Sequence, residues 1–82
     1  MKRIYISYPF RYFGLELGED LEELIQDFNG ELIGSGGSLG LRDLEFEFLN
    51  NADALKAEEK ILDFLKSEYP HYNKVSVELV SL

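Results

Sequence analysis

The stretch IGSGGSLGLRDLEFEFLN, residues 33–50, joins two unlike kinds of sequence. Its first half gathers Gly34, Gly36, Gly37 and Gly40 with Ser35 and Ser38; its second alternates Leu44, Phe46 and Phe48 with Asp43, Glu45 and Glu47. Strict alternation of apolar and charged residues is the pattern of a strand with one face in a core and the other in water. The glycines admit two readings, a loop that cradles a phosphate or the turn of a hairpin. A phosphate loop aims successive backbone N–H groups at the anion from the start of a helix, whose dipole favours negative charge. Here a strand follows, no Lys-Ser or Lys-Thr closes the motif, and no acidic residue is placed for a ribose, so both nucleotide-loop readings fail. The residues predict a hairpin connection of several residues, with glycine supplying positive φ and Ser35 and Ser38 bonding the local backbone.

Outward from this hairpin the periodicities are regular. Toward the N-terminus, Ile4, Ile6, Tyr8 and Phe10 share one parity and Arg3, Tyr5 and Ser7 the other, which predicts a half-buried strand. GEDLEELIQDFNG, residues 18–30, places Leu21, Leu24, Ile25 and Phe28 on one helical stripe, with Asp20 and Glu23 spaced as a capping box and Gly30 at the stop. ELIGS, residues 31–35, supplies a short second strand before the glycine turn. Beyond the alternating third strand, Asn50 or Asn51 caps a second helix. That helix carries Ala54, Leu55, Ala57, Ile61, Leu62, Phe64 and Leu65 on a broad stripe and stops before Pro70. NKVSVELVSL, residues 73–82, alternates as a fourth strand.

The order βαββαβ, with no linker and no low-complexity tract, makes residues 1–82 a single α+β domain. One apolar face per strand and one stripe per helix lay both helices on the same face of a four-stranded sheet. Right-handed crossovers then give the ferredoxin-like split βαβ arrangement, strands one and three central and two and four at the edges. The opposite sheet face is left bare, and Asp43, Glu45 and Glu47 point into it.

Composition narrows the function classes. Sixteen acids against eight bases give a net charge of −8, which repels phosphate backbones and anionic lipid and favours basic partners. The absence of cysteine excludes disulfides and thiolate metal sites and fits a reducing, cytoplasmic compartment. The opening MKRIYISYPF alternates and lacks a small-residue cleavage site, so it reads as a strand and not a leader. No apolar run approaches the roughly 18 residues of a membrane span.

No catalytic signature emerges. Carboxylates two apart on a strand stand about 6.8 Å from each other, too far for one ion to bridge neighbours without help from another strand. His71, the single histidine, has neither cysteine nor a nearby serine to complete a nucleophilic group, and reads as a surface residue at a helix end. PFRYFGLEL, residues 9–17, is a long connection bearing Phe10, Arg11, Tyr12 and Phe13, residue types enriched at interface hot spots. In the competing reading Phe10 and Phe13 close the core while Leu15 or Leu17 staples the helix start.

The pattern resembles several ferredoxin-like families. RNA-recognition domains carry aromatics on the exposed face of strand three, where Asp43, Glu45 and Glu47 stand here, which excludes that activity. Acylphosphatases match only loosely through Arg11 and Asn50, without their glycine-bearing anion loop; ACT-type regulatory domains remain relatives in fold. GSGGSLGLRDLEFEF, residues 34–48, resembles small acidic bacterial proteins of immunity or inhibitor type. That resemblance implies a non-enzymatic cytoplasmic protein that neutralises or regulates a basic protein partner such as a toxin or nuclease. The expected partner-binding residues are Asp43, Glu45, Glu47, Tyr5, Phe10, Arg11, Tyr12 and Phe13. No catalytic group, cofactor, metal, direct nucleic-acid contact or membrane contact is expected, and the protein is expected to be a monomer or homodimer. The alternative is an ACT-like small-ligand sensor or minor enzyme on the same fold, with a pocket between subunits or beside the hairpin.

Overall fold

In the computed structural model, which describes residues 1–81, the alternation of the third strand divides core from solvent. β1 (Lys2–Pro9) leads into a single helical turn, α1 (Phe10–Phe13), and then α2 (Glu16–Gln26). β2 (Glu31–Ser38) and β3 (Leu41–Phe48) form a hairpin, followed by α3 (Asn51–Glu68), a 3-10 turn (Tyr72–Lys74) and β4 (Ser76–Ser81). The sheet order is β2-β3-β1-β4, every neighbouring pair antiparallel. This is the expected ferredoxin-like arrangement, with β1 and β3 central. Leu82, expected at the end of the fourth strand, lies outside the described residues.

Residues opposite one another in an antiparallel pair share a face, so the register assigns both faces. Ile4 opposes Phe46 and Leu79, and Ile6 opposes Leu44 and Val77. This apolar face meets Leu17, Leu21 and Ile25 of α2 and Ala54, Ala57, Ile61 and Leu65 of α3 in one core. The α3 stripe is narrower than its sequence predicts: Leu55 and Leu62 are exposed, because two helices cover the sheet from one side only. Asn50 caps α3, its side chain accepting a 2.7 Å hydrogen bond from the Ala52 N–H.

Three local expectations are corrected. The first long helix begins at Glu16, not near Asp20, and no side chain caps it. Asp20 instead accepts a 2.6 Å hydrogen bond from the Tyr69 hydroxyl, tying the helix to the chain just beyond α3. Asn73 and Lys74 belong to the 3-10 turn, not to the last strand. Most consequentially, the glycine run is not a turn of several residues. Gly34, Gly36 and Gly37 lie within β2, and the connection is Leu39–Gly40 alone. Both turn residues have positive φ, 55° and 80°, as the type I′ hairpin turn requires.

Phe46, fully buried at the centre of the sheet, should cost about 3–5 kcal/mol when truncated to alanine. Chemical denaturation reads this directly, and an unchanged midpoint would contradict the core assignment. Burial, and then the bond to Asp20, pushes the Tyr69 phenol well above its usual range. A folded value above the unfolded one stabilises fully below about pH 10 and is lost as pH rises beyond it. The advantage of wild type over Tyr69→Phe, about 1 kcal/mol near neutrality, should therefore shrink in melting curves taken at increasingly alkaline pH. An advantage that stays constant through the alkaline range would contradict this linkage.

Candidate binding surface

The face of the sheet away from the helices is a charged surface with an aromatic centre. The register places Arg3, Tyr5 and Ser7 of β1 beside Glu47, Glu45 and Asp43 of β3. β4 adds Ser76, Glu78 and Val80, and β2 adds Glu31, Gly34 and Gly36. Glu31, Asp43, Glu45, Glu47 and Glu78 thus share this face with one cation, Arg3. Glu31 lies directly opposite Glu47, a like-charge pairing that costs stability.

Arg3 offsets part of this repulsion. Its Nη1 donates to Glu45 Oε1 and its Nε to Glu47 Oε2, each at 3.1 Å. The three acids of β3, equivalent in the sequence pattern, differ in the structure. Glu45 and Glu47 are half-buried and share a cation, whereas Asp43 is exposed with no ion-pair partner among the described residues. Arg3 stands one strand away from its partners and 42 and 44 positions away in sequence, so only the β1–β3 register reveals the pairing.

The glycines of β2 shape the same face. A depression of about 260 Å³ is lined by Tyr5, Gly34, Gly36, Asp43 and Glu45, the Glu45 carboxylate lying close over Gly34. A Cβ on Gly36 would meet nothing within 4 Å, so it would project into open space. Gly37 differs: a Cβ there would come within 2.4 Å of the Leu41 carbonyl oxygen. Gly37 is therefore required by the hairpin, and Gly36 leaves room on the surface.

The segment from Phe10 to Phe13 splits between the two readings its sequence allowed. Phe13 is buried against Tyr8 and Tyr69 and belongs to the core, taking no part in the surface. Leu17 is buried and Leu15 exposed. Phe10, Arg11 and Tyr12 are exposed at the end of the sheet, where the Phe10 N–H donates to the Gly40 carbonyl at 2.9 Å and ties this turn to the hairpin. The His71 ring contacts Tyr12, with ring centroids 4.9 Å apart and planes tilted by 49°. Inside the same end of the sheet, the Tyr8 hydroxyl and Arg42 Nε are buried without a hydrogen-bond partner among the described residues. Burial pushes the Tyr8 phenol up, and the neighbouring Arg42 charge partly opposes the shift.

Among the described residues no three His, Asp or Glu side chains gather in a way that could hold a metal ion. No helix there is long and apolar enough to cross a membrane. No family model matches the chain, and no curated protein matches it. Among solved structures, a chain described as a "putative transposase" from Deinococcus radiodurans has a TM-score of 0.49 and 15% identity, covering 100% of this chain and 78% of that one.

Proposed function

We propose that the protein is a non-enzymatic, cytoplasmic binding protein whose acidic sheet face neutralises or regulates a basic protein partner, a toxin immunity protein or nuclease inhibitor being the sharpest form of this role. The observation that carries the reading is the depression at Tyr5. An arginine or lysine side chain entering it would meet the Tyr5 ring and the carboxylates of Asp43 and Glu45, which line it together with Gly34 and Gly36. Such a cation gains both a cation–π contact and charge-assisted hydrogen bonds. Asp43 lacks an internal cation and is the carboxylate most available to it. The surrounding Glu31, Glu47 and Glu78 steer a basic partner toward this face in a salt-dependent way.

An octa-arginine peptide serves as the probe in an amide chemical-shift titration. Saturable shifts should centre on Tyr5, Gly34, Gly36 and Asp43 and weaken with added salt. The triple change Asp43→Lys, Glu45→Lys and Glu47→Lys should reduce affinity by about tenfold or more, since charge-assisted bonds contribute roughly 1.5–3 kcal/mol each. Equal affinity of wild type and the triple variant, or shifts spread without focus over the molecule, would contradict the reading.

A further inference from the structure

The end of the sheet formed by α1, the β2–β3 turn and the 3-10 turn has the opposite character to the acidic face. The Arg11 guanidinium carbon and the Lys74 ammonium each lie 4.9 Å from the centre of the Tyr12 ring, which His71 also contacts. Acids outnumber lysines and arginines two to one in this chain, yet neither Arg11 nor Lys74 has a carboxylate at ion-pair distance among the described residues. Both cations instead contact Tyr12: each lies against its ring, and its hydroxyl accepts from Arg11 Nη2 at 3.1 Å. Two like charges gathered at one ring repel each other, and an anion beside them relieves that repulsion.

A second, independent feature borders the same place. Leu39 occupies the first position of the type I′ turn with φ of 55°, a left-handed conformation that asparagine or glycine adopts far more readily than leucine. Its side chain is 99% exposed. It therefore contributes neither backbone ease nor burial to the free protein, and a strained, unpacked residue of this kind points to a contact made elsewhere. Leu39 forms the rim of a concave surface of about 680 Å³ that Phe10, Tyr12, Leu41, Arg11 and Lys74 also line.

We infer that this concavity binds a small aromatic oxyanion, its carboxylate or phosphate group held by Arg11 and Lys74 and its flat ring resting among Tyr12, Phe10 and Leu39. The fork of the arginine suits either oxyanion, and the lysine supplies a second point charge. The inference does not depend on the acidic-face reading, which concerns cations on the other side of Leu41 and Pro9.

The test is a chemical-shift titration of the full chain with phenyl phosphate at fixed ionic strength, alongside inorganic phosphate, phenol and phosphatidylserine vesicles. Phenyl phosphate should give saturable shifts at Arg11, Tyr12, Leu39, Gly40 and Lys74 and bind more tightly than either inorganic phosphate or phenol. The double change Arg11→Gln and Lys74→Gln should weaken it by about tenfold or more. Leu39→Asn should weaken it as well while raising the melting temperature, because asparagine accepts the left-handed turn position; a merely structural Leu39 would lose stability instead. Absence of saturation, affinity unchanged in the Arg11→Gln, Lys74→Gln variant, or binding to the vesicles without binding to phenyl phosphate would each overturn the assignment.

Discussion

The register between β1 and β3 is the constraint on which everything else depends. It sets Ile4 and Ile6 against Phe46 and Leu44 on the inner face and Arg3 against Glu47 on the outer one. Because side chains alternate with a period of two, a slip of one residue would turn Leu44, Phe46 and Phe48 to water and carry Asp43, Glu45 and Glu47 into the core. Burial of the phenylalanines and the cost of desolvating three carboxylates therefore select the same pairing. Arg3 adds a clamp on the outer side by bridging Glu45 and Glu47. The two-residue turn at Leu39–Gly40 then extends the register to β2.

Burial is divided unevenly along the sheet. The half nearest α2 and α3 holds the buried side chains. The distal half of β2 holds few: beyond Leu32 its inward positions are Ser35 and Gly37, and residues 35–40 are all exposed. That end of the hairpin is maintained by backbone pairing more than by packing. It carries the Gly36 depression on one side and the Leu39 rim on the other. Regions of low packing density are where binding surfaces are commonly found.

The sequence made the fold legible because its two periods are clean. Ile4, Ile6 and Tyr8, then Leu44, Phe46 and Phe48, alternate without interruption, and all six are buried. The start of α2 was obscured because nothing caps it; the signal present was Leu17, which extends the buried spacing of Leu21 and Ile25 back by one turn. The span of β2 was obscured because glycine and serine are weak strand formers, and their pairing with residues 41–45 of β3 is a tertiary effect. Of the surface, the charge on β3 was readable. The Arg3 clamp, the withdrawal of Phe13 into the core and the meeting of Arg11 with Lys74 at Tyr12 all join residues distant in sequence, or depend on which way one side chain turns.

Of the distal hairpin glycines, Gly37 and Gly40 serve the fold, whereas Gly36 is kept for the surface it leaves open. Thermal unfolding of Gly36→Thr tests this most directly, because a Cβ at this position meets nothing within 4 Å. A β-branched residue suits a strand better than glycine, so the melting temperature should rise by several degrees. A melting temperature lowered by Gly36→Thr would show that the fold itself requires this glycine, and would contradict the account.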